Sequence, residues 1–546
     1  MRLGAAVRLT QSRRMSRPHR AAWPRGRART VAVLAGFAAA LGTAGTVGAS
    51  SFGVRTFPIA AGTAGVAAGA ASGSAPVVSA DGSTVAFVGG SAGSPITNVY
   101  SSDQLTGTTS LASSGLGGAP ADGASSAPAV SRDGNVVAFA SNATNLVGGP
   151  VGAGGEIYAR RSDGAIKLVS VGIGAPANGG SSQAAISADG RYVAFASTAS
   201  NLVAGDTNGV SDVFLADLDS GAITRISVAH GGGEANAAST SPAISGDGRT
   251  ISFDSSATNL VGGDRNGLAD VFVRVPSTDT TERISVATGG AEQNRTATAG
   301  FSTISSVSVN GRLVVFDSTA TNLVHGEDPA ARSNVFVRDR SRHTTTLVSE
   351  GNDGYEGNND SFAPFVAPSG LYVVFESFAK NLAAGGGPQG NVYVRDLTLR
   401  TTSVVDVAAN GSPPGRELVG QLLERPTISS DGTVATFVSS AANLTGNGAG
   451  LTQVFLRLLT PPRGKLSGSG RPPAPARHPR VVVRADDRRA TVFECRVDRQ
   501  LPFDCRPGVL RLPTLSPGAH TLLVRAGGPG MLYDPLGLQI KLRVTS

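Results

Sequence analysis

Seven times along its 546 residues the chain returns to one phrase. A short apolar segment runs into a turn built on Gly, and an alternating run follows that passes through a Phe. The turn residue before the Gly is Asp81, Asp133, Asp189, Asp247, Asn310, Ser369 and Asp431, and successive copies stand 52 to 63 residues apart. In the last six copies the phrase closes on Asn-Leu, as at Asn145-Leu146 and Asn201-Leu202. A repeat of this length is one supersecondary unit that cannot bury its own apolar face alone, so the copies must stack on one another.

Each unit reads as four strands. In the third, the residues before Asp189 form a short first strand, and Asp189-Gly190 turns the chain because both residues tolerate positive φ. Residues 192–196 form the second strand. After a Gly-rich loop, residues 212–216 form the third, Asp219-Ser220-Gly221 turns, and residues 223–228 form the fourth. Four short antiparallel strands repeated at near-constant spacing predict an all-β, seven-bladed β-propeller over residues 50–460. The seventh unit stops after its third strand and runs into Pro461-Pro462. The missing strand is sought at the other end of the chain, where residues 54–60 (VRTFPIA) precede the first unit. One blade assembled from both ends would close the ring and hide its edges. Pro58 is tolerable there on an outer edge strand.

The Ser-x-Asp-Gly-x-x-Val-Ala-Phe core and the Asp-Val-Phe phrase after it resemble the WD40-like (PD40-type) propeller repeats of TolB-like periplasmic proteins. The resemblance spans about 54–460. It implies the fold. The Trp-Asp signature of true WD40 repeats is missing, since the one Trp is Trp23, and the partner domain of the Tol protein does not precede the repeats.

The net charge of +8 divides unevenly. Residues 1–30 hold nine Arg and no acid, and residues 461–546 hold fifteen Lys/Arg against six Asp/Glu, which leaves 50–460 at −10. An acidic ring is poor material for a nucleic-acid groove. Residues 1–49 read as a signal peptide: an Arg-rich start, the apolar run 31–49 and small residues at Val47-Gly48-Ala49. An uncleaved anchor is the alternative, and no later stretch is long enough to cross a membrane. A secreted or envelope-associated, monomeric protein is expected.

Residues 461–479 are a Pro/Gly-rich basic linker by composition. Residues 480–546 alternate again and are expected to form a small β-sandwich. The phrases FECRVDRQLPFDC, LSPGAHTLLVRA and Asp534-Pro535 resemble an immunoglobulin-like module of bacterial exported proteins. Cys495 and Cys505, ten residues apart in an exported chain, point to one local disulfide, with two buried thiols as the alternative. The resemblance likewise implies that they bridge neighbouring strands.

The chain carries no G-x-S-x-G elbow, phosphate loop, H-E-x-x-H or C-x-x-C. His230 and His325 fall in blade loops, and the six His show no metal-ligand spacing. The first-strand positions nearest the axis look mainly apolar. One pattern stands out: Asp206, Asn208 and Asp212 in unit three, and Asp264, Asn266 and Asp270 in unit four, place oxygens at positions 1, 3 and 7 of a loop, as in part of a Ca²⁺ site. Asx turns are the competing reading. The expected function is a non-enzymatic scaffold at the cell envelope, with no cofactor, that binds a protein or cell-wall glycan. The alternative is a propeller enzyme, lactonase-like or glycan-cleaving, with its site in the central channel.

Overall fold

The computed structural model describes residues 56–58, parts of 466–544, and 73–459 apart from 91–95, 105, 153, 295–304, 325–331, 388–389, 409–411, 415–424, 442 and 445–452. The body is seven four-stranded antiparallel sheets. In blades one to six the strands follow chain order. Blade three comprises Ser181–Ile186, Tyr192–Ser197, Asp212–Asp217 and Ile223–Arg225, so its fourth strand is shorter than the sequence pattern predicts. The chain leaves the ladder there because Ser227 caps the start of the third strand with its hydroxyl, which Val213 N–H donates to at 3.0 Å.

Blade seven joins the two ends of the repeat region. Its third strand, Gln453–Leu458, pairs with Val434–Ser439 on one side and with Thr56–Pro58 on the other. Thr56 faces Arg457, Phe57 faces Leu456 and Pro58 faces Phe455. The ring is closed from the N-terminal side, as strand accounting required. Pro58 costs no ladder bond. It holds the register that Arg225 holds opposite Phe214 in blade three, and there it is the next residue, Ile226, whose N–H bonds inward to Val213 O at 2.7 Å. A residue without an N–H at an outward-facing position also discourages a further strand from adding.

The hydrophobic core lies between blades. Ile251, Phe253 and Phe272 of blade four pack with Ala194 and Val213 of blade three, whereas Val271 and Val273 pack with Val314 and Phe316 of blade five. Each sheet is therefore covered on both faces, which explains why the second and third strands read as near-continuous apolar runs. Within every blade the repeated Phe stacks on an aromatic of the third strand, from Phe87–Tyr100 to Phe437–Phe455, with ring centroids 5.6–5.9 Å apart. Such pairs contribute roughly 0.5–1.5 kcal/mol beyond the area they bury.

At one end of the ring the Asp-Gly turns meet. Asp189 Oδ1 accepts from Ser187 Oγ at 2.5 Å and from Arg191 N–H at 3.0 Å, and blades one, two, four and seven repeat the arrangement. Gly248 has φ 71°, and a Cβ there would meet Tyr192 of blade three at 2.3 Å, so the position needs glycine for both backbone and packing. Neighbouring turns are linked through their backbones: Arg132 N–H to Ala188 O, Ala188 to Gly246, Gly246 to Val309, Val309 to Pro368 and Ser430 to Ala80, with Asp81 N–H to Arg132 O completing the series. Pro368, lacking an N–H, cannot continue the series to blade seven.

A second set of links joins the outer strands. In blade five, Arg338 Nη1 donates to Thr345 Oγ1 opposite it (3.1 Å) and to Ala287 O of the preceding blade (3.3 Å), while Thr345 Oγ1 donates to Val286 O (2.5 Å). Arg395 and Thr402 of blade six repeat this against Glu350 O. In blade four Thr281 bridges Arg274 and Val228 O. Arg457 of blade seven reaches Val407 O at 2.5 Å, and burial pushes its guanidinium down to about 10.

Beyond the ring, seven strands form a three-stranded and a four-stranded sheet. The stretch read as a linker contributes to them: Leu466–Ser469 is a strand paired with Arg480–Ala485, because its Leu-Ser-Gly-Ser alternates enough to pair despite the surrounding Pro and Gly. Cys495 is buried in Val492–Val497, opposite Phe503; Cys505 lies two positions further along that neighbouring strand. The expected signal segment, His325 and Asp534-Pro535 lie outside the described residues.

Candidate functional site

Antiparallel alternation sends the loops between second and third strands, and those leading from fourth strands to the next blade, to the end of the ring opposite the Asp-Gly turns. The polar groups that do not repeat in every blade gather there. In blade three, Asp206, Asn208 and Asp212 come together as the sequence suggested, but an arginine sits among them. Arg225 Nη1 lies 3.2 Å from Asp206 Oδ1, 3.8 Å from Asp212 Oδ2 and 2.6 Å from Glu234 Oε1. Asn208 gives its amide N–H, not its oxygen, to Asp212 at 2.8 Å, while its oxygen accepts from Val210 N–H as an Asx turn. Blade four is built alike: Arg283 Nη1 stands 3.2, 3.5 and 2.9 Å from Asp264, Asp270 and Glu292, and Asn266 donates to Asp270 at 3.0 Å. The cation these oxygens hold is the protein's own guanidinium, 13 residues beyond the loop in each case.

Electrostatics within these clusters follow burial. Desolvation raises the carboxyls of Asp206, Asp212, Asp264 and Asp270 above the usual carboxylate range, with the neighbouring acids adding to the shift of Asp206 and Asp264. The half-buried Glu234 goes the other way, to about 2, because Thr207 donates through both hydroxyl and N–H and Arg225 stands beside it.

A second cluster lies at the ends of the second strands, beside the first strand of blade seven. Three successive blades carry an acid one residue before the end of the second strand: Asp254, Asp317 and Glu376, where blades two and three have Ala140 and Ala196. Asp254 and Asp317 are each 5% exposed. Arg425, just ahead of the short first strand Thr427–Ile428 of blade seven, donates to Pro364 O of blade six at 3.0 Å and to Ser305 O of blade five at 2.6 Å, and lies over the Phe365 ring. Burial brings Arg425 down to about 10 against the pull of Asp254 and Asp317. Burial and the Asp254 charge hold the Asp317 carboxyl well above its ordinary range, and its Oδ1 has no hydrogen-bond partner. The sequence carries a signal for this cluster in Phe-Asp-Ser, Phe-Asp-Ser and Phe-Glu-Ser against Phe-Ala-Ser in blades two and three.

The loop end also exposes apolar side chains. Of the six large exposed hydrophobics among the described residues, Leu116, Val171, Ile173, Tyr355 and Phe378 belong to its loops, and Leu371 alone belongs to an Asp-Gly-type turn. Ile173 N–H bonds Asn201 O and Leu116 N–H bonds Asn145 O, so both are pinned beside the next blade's loop while their side chains stay exposed. His230 sits on Asp279 O at 2.9 Å, joining blades three and four. Among the described residues no group of three His, Cys, Asp or Glu is arranged to hold a metal, and no helix is long and apolar enough to cross a membrane.

No family model and no curated protein matches the sequence. Among solved structures the chain is similar to TolB from Acinetobacter baumannii, at 15% identity over 59% of this chain and 63% of that one, with a TM-score of 0.34. It is also similar to an oligogalacturonate lyase from Vibrio parahaemolyticus (10% identity, 75% and 95% coverage, TM-score 0.44). A third is the β-propeller domain of the Trilobed protease from Pyrococcus furiosus (11% identity, 71% and 93% coverage, TM-score 0.43). The chain thus spans just under two thirds of the TolB chain. At these identities the likeness concerns the fold alone.

Proposed function

We propose that this chain is a non-enzymatic, exported propeller that serves as a protein- or glycan-binding scaffold at the cell envelope. The observation that carries the reading is the unequal exposure of apolar side chains: five of the six lie at the loop end. Exposed apolar groups gathered on one end of a rigid ring mark an interaction surface, and loops held by a scaffold are where binding is grafted. The basic 461–546 segment supports retention at an anionic surface. Residues 1–49 act as the export signal, and Cys495 and Cys505 form the disulfide of an immunoglobulin-like appendage.

Binding is tested with partners captured by the full chain from its native envelope. A Leu116→Asp/Ile173→Asp/Tyr355→Ser variant that melts like the wild type should lose the specific partner; equal capture by both sinks the reading. Deleting 461–546 should release the ring in a salt-dependent manner. The mass of the non-reduced chain, two hydrogens below that of the reduced one, checks the disulfide.

A second reading, an enzyme with its site in the channel, is favoured by one observation: a buried Asp317 whose carboxyl burial and Asp254 raise well above its ordinary range, with Arg425 in the same cluster. Propeller lactonase or glycan-cleaving activity that Asp317→Asn abolishes at unchanged stability would put this reading first.

A further inference from the structure

The two acidic loops of blades three and four each contain an Asn-Gly pair, Asn208-Gly209 and Asn266-Gly267. The backbone nitrogen that follows an asparagine can attack the side-chain amide and close a succinimide ring, an intramolecular step whose rate depends on how the three groups involved are held. Glycine permits it best, having no side chain to crowd the nitrogen. Two further Asn-Gly pairs lie among the described residues, Asn178-Gly179 and Asn310-Gly311. At Asn310 the nucleophile is engaged, because Gly311 N–H donates to Ser308 O at 2.9 Å. The N–H groups of Gly179, Gly209 and Gly267 make no hydrogen bond among the described residues, and Gly209 and Gly267 are exposed with open space around them.

The amide under attack is prepared at both of its atoms. Asn208 Oδ1 accepts from Val210 N–H at 3.2 Å and Asn266 Oδ1 from Leu268 N–H at 2.9 Å, so negative charge developing on that oxygen meets a backbone donor. The leaving nitrogen rests on an acid: Asn208 Nδ2 lies 2.8 Å from Asp212 Oδ2, and Asn266 Nδ2 lies 3.0 Å from Asp270 Oδ2. Desolvation raises both carboxyls above the usual carboxylate range, toward the pH at which a carboxyl can hand over a proton. Asn178 lacks only this last feature. Its Oδ1 accepts from Ser200 N–H at 2.8 Å, but its Nδ2 rests on the Ser200 hydroxyl at 2.9 Å.

We infer that Asn208 and Asn266 are self-modification sites, at which the fold itself promotes loss of the side-chain amide with Asp212 and Asp270 as proton donors to the leaving nitrogen. The glycine nitrogen gives its proton to solvent and bonds to the asparagine Cγ. The Cγ–Nδ2 bond then breaks as Nδ2 takes the carboxyl proton, ammonia departs, and the carboxyl regains a proton from solvent. Water opens the succinimide at either carbonyl and leaves aspartate or isoaspartate. Either product adds a negative charge to carboxylates already gathered round a single guanidinium, and isoaspartate also lengthens the backbone by a methylene. The reaction does not depend on what binds to the apolar side chains of the loop end.

The test incubates the purified full chain near neutral pH and follows each Asn-Gly pair by peptide mass mapping. In the folded chain Asn208 and Asn266 should convert faster than in the same chain unfolded in guanidinium chloride. They should also convert on the order of a hundredfold faster than folded Asn178, the low end of what a placed general acid contributes. Folded Asn310 should be slowest. Asp212→Asn should bring Asn208 down to the Asn178 rate while Asn266 keeps its wild-type rate, which also reports that the variant is folded. Conversion of Asn208 and Asn266 no faster in the folded chain than in the unfolded one would mean that the loops protect these amides, and overturns the proposal without any variant. An Asn208 rate that Asp212→Asn leaves unchanged overturns the role given to the carboxyl.

Discussion

The two ends of the ring are built on different rules. At the Asp-Gly end every blade repeats the turn, with its glycine packed on the preceding blade and, except at Pro368 of blade six, its backbone bonded to the next turn. At the loop end, blades three and four enclose an arginine among carboxylates, blades four and five bury acids near Arg425, and blades one and two expose Leu116 and Ile173. Repetition marks what the fold needs from each unit; departure from it marks where a unit has been given something particular to do.

The arginine-centred clusters test that contrast most severely. Arg225→Ala should leave Asp206 and Asp212 buried without their counter-charge and cost about 3–5 kcal/mol in urea unfolding. The triple variant with Asp206→Asn and Asp212→Asn should recover most of the loss. A cost below about 1 kcal/mol would place these clusters with ordinary surface ion pairs.

Glycines separate the ends more gently. Gly248→Ala, at the repeating end, adds a clash with Tyr192 to the strain of positive φ, whereas Gly231→Ala, at the loop end, has φ 88° but open space around it. The first should cost about 2 kcal/mol or more and the second about 1. Equal costs would mean that packing between turns matters less than their backbone shape.

Acidity gives a directional test. Folding raises Asp317 above its ordinary value, so the folded state binds the proton more tightly than the unfolded one. Stability that protonated Asp317 contributes is full below the unfolded value and falls as pH rises toward the folded one. Asp317→Asn cannot ionise. Its melting temperature should exceed the wild type's at neutral pH, with the gap closing near and below about pH 4. A gap independent of pH would mean that Asp317 is ionised in the folded state. The smallest effect is expected from calcium: millimolar CaCl2 should leave the wild-type transition where it was, because Arg225 and Arg283 already sit on the oxygens concerned. A rise would restore the cation reading.

What could be read from the sequence followed the range of the interaction. Asp189-Gly190 is a local choice of turn, and it was legible in every unit. Closure was legible too, since the tally of strands came out one short at one end and one over at the other. The partner of Asp212 was not legible: its loop alone looks like a ligand set, and only the fold brings Arg225 into it. Arg425 lies 120 residues from Ser305, whose carbonyl it holds, and no pattern within a unit announces a contact of that span.

Pro368 bears on how the ring comes apart. The turn-to-turn bonds form a hoop with a split between blades six and seven, and blade seven is also the one whose outer strand comes from the far end of the chain. Two independent fastenings are thus weakest in the same wedge of the molecule. A load that opens the ring, thermal or mechanical, should start there, and the first piece to swing free would be blade seven, with the other six still clasped as an arc.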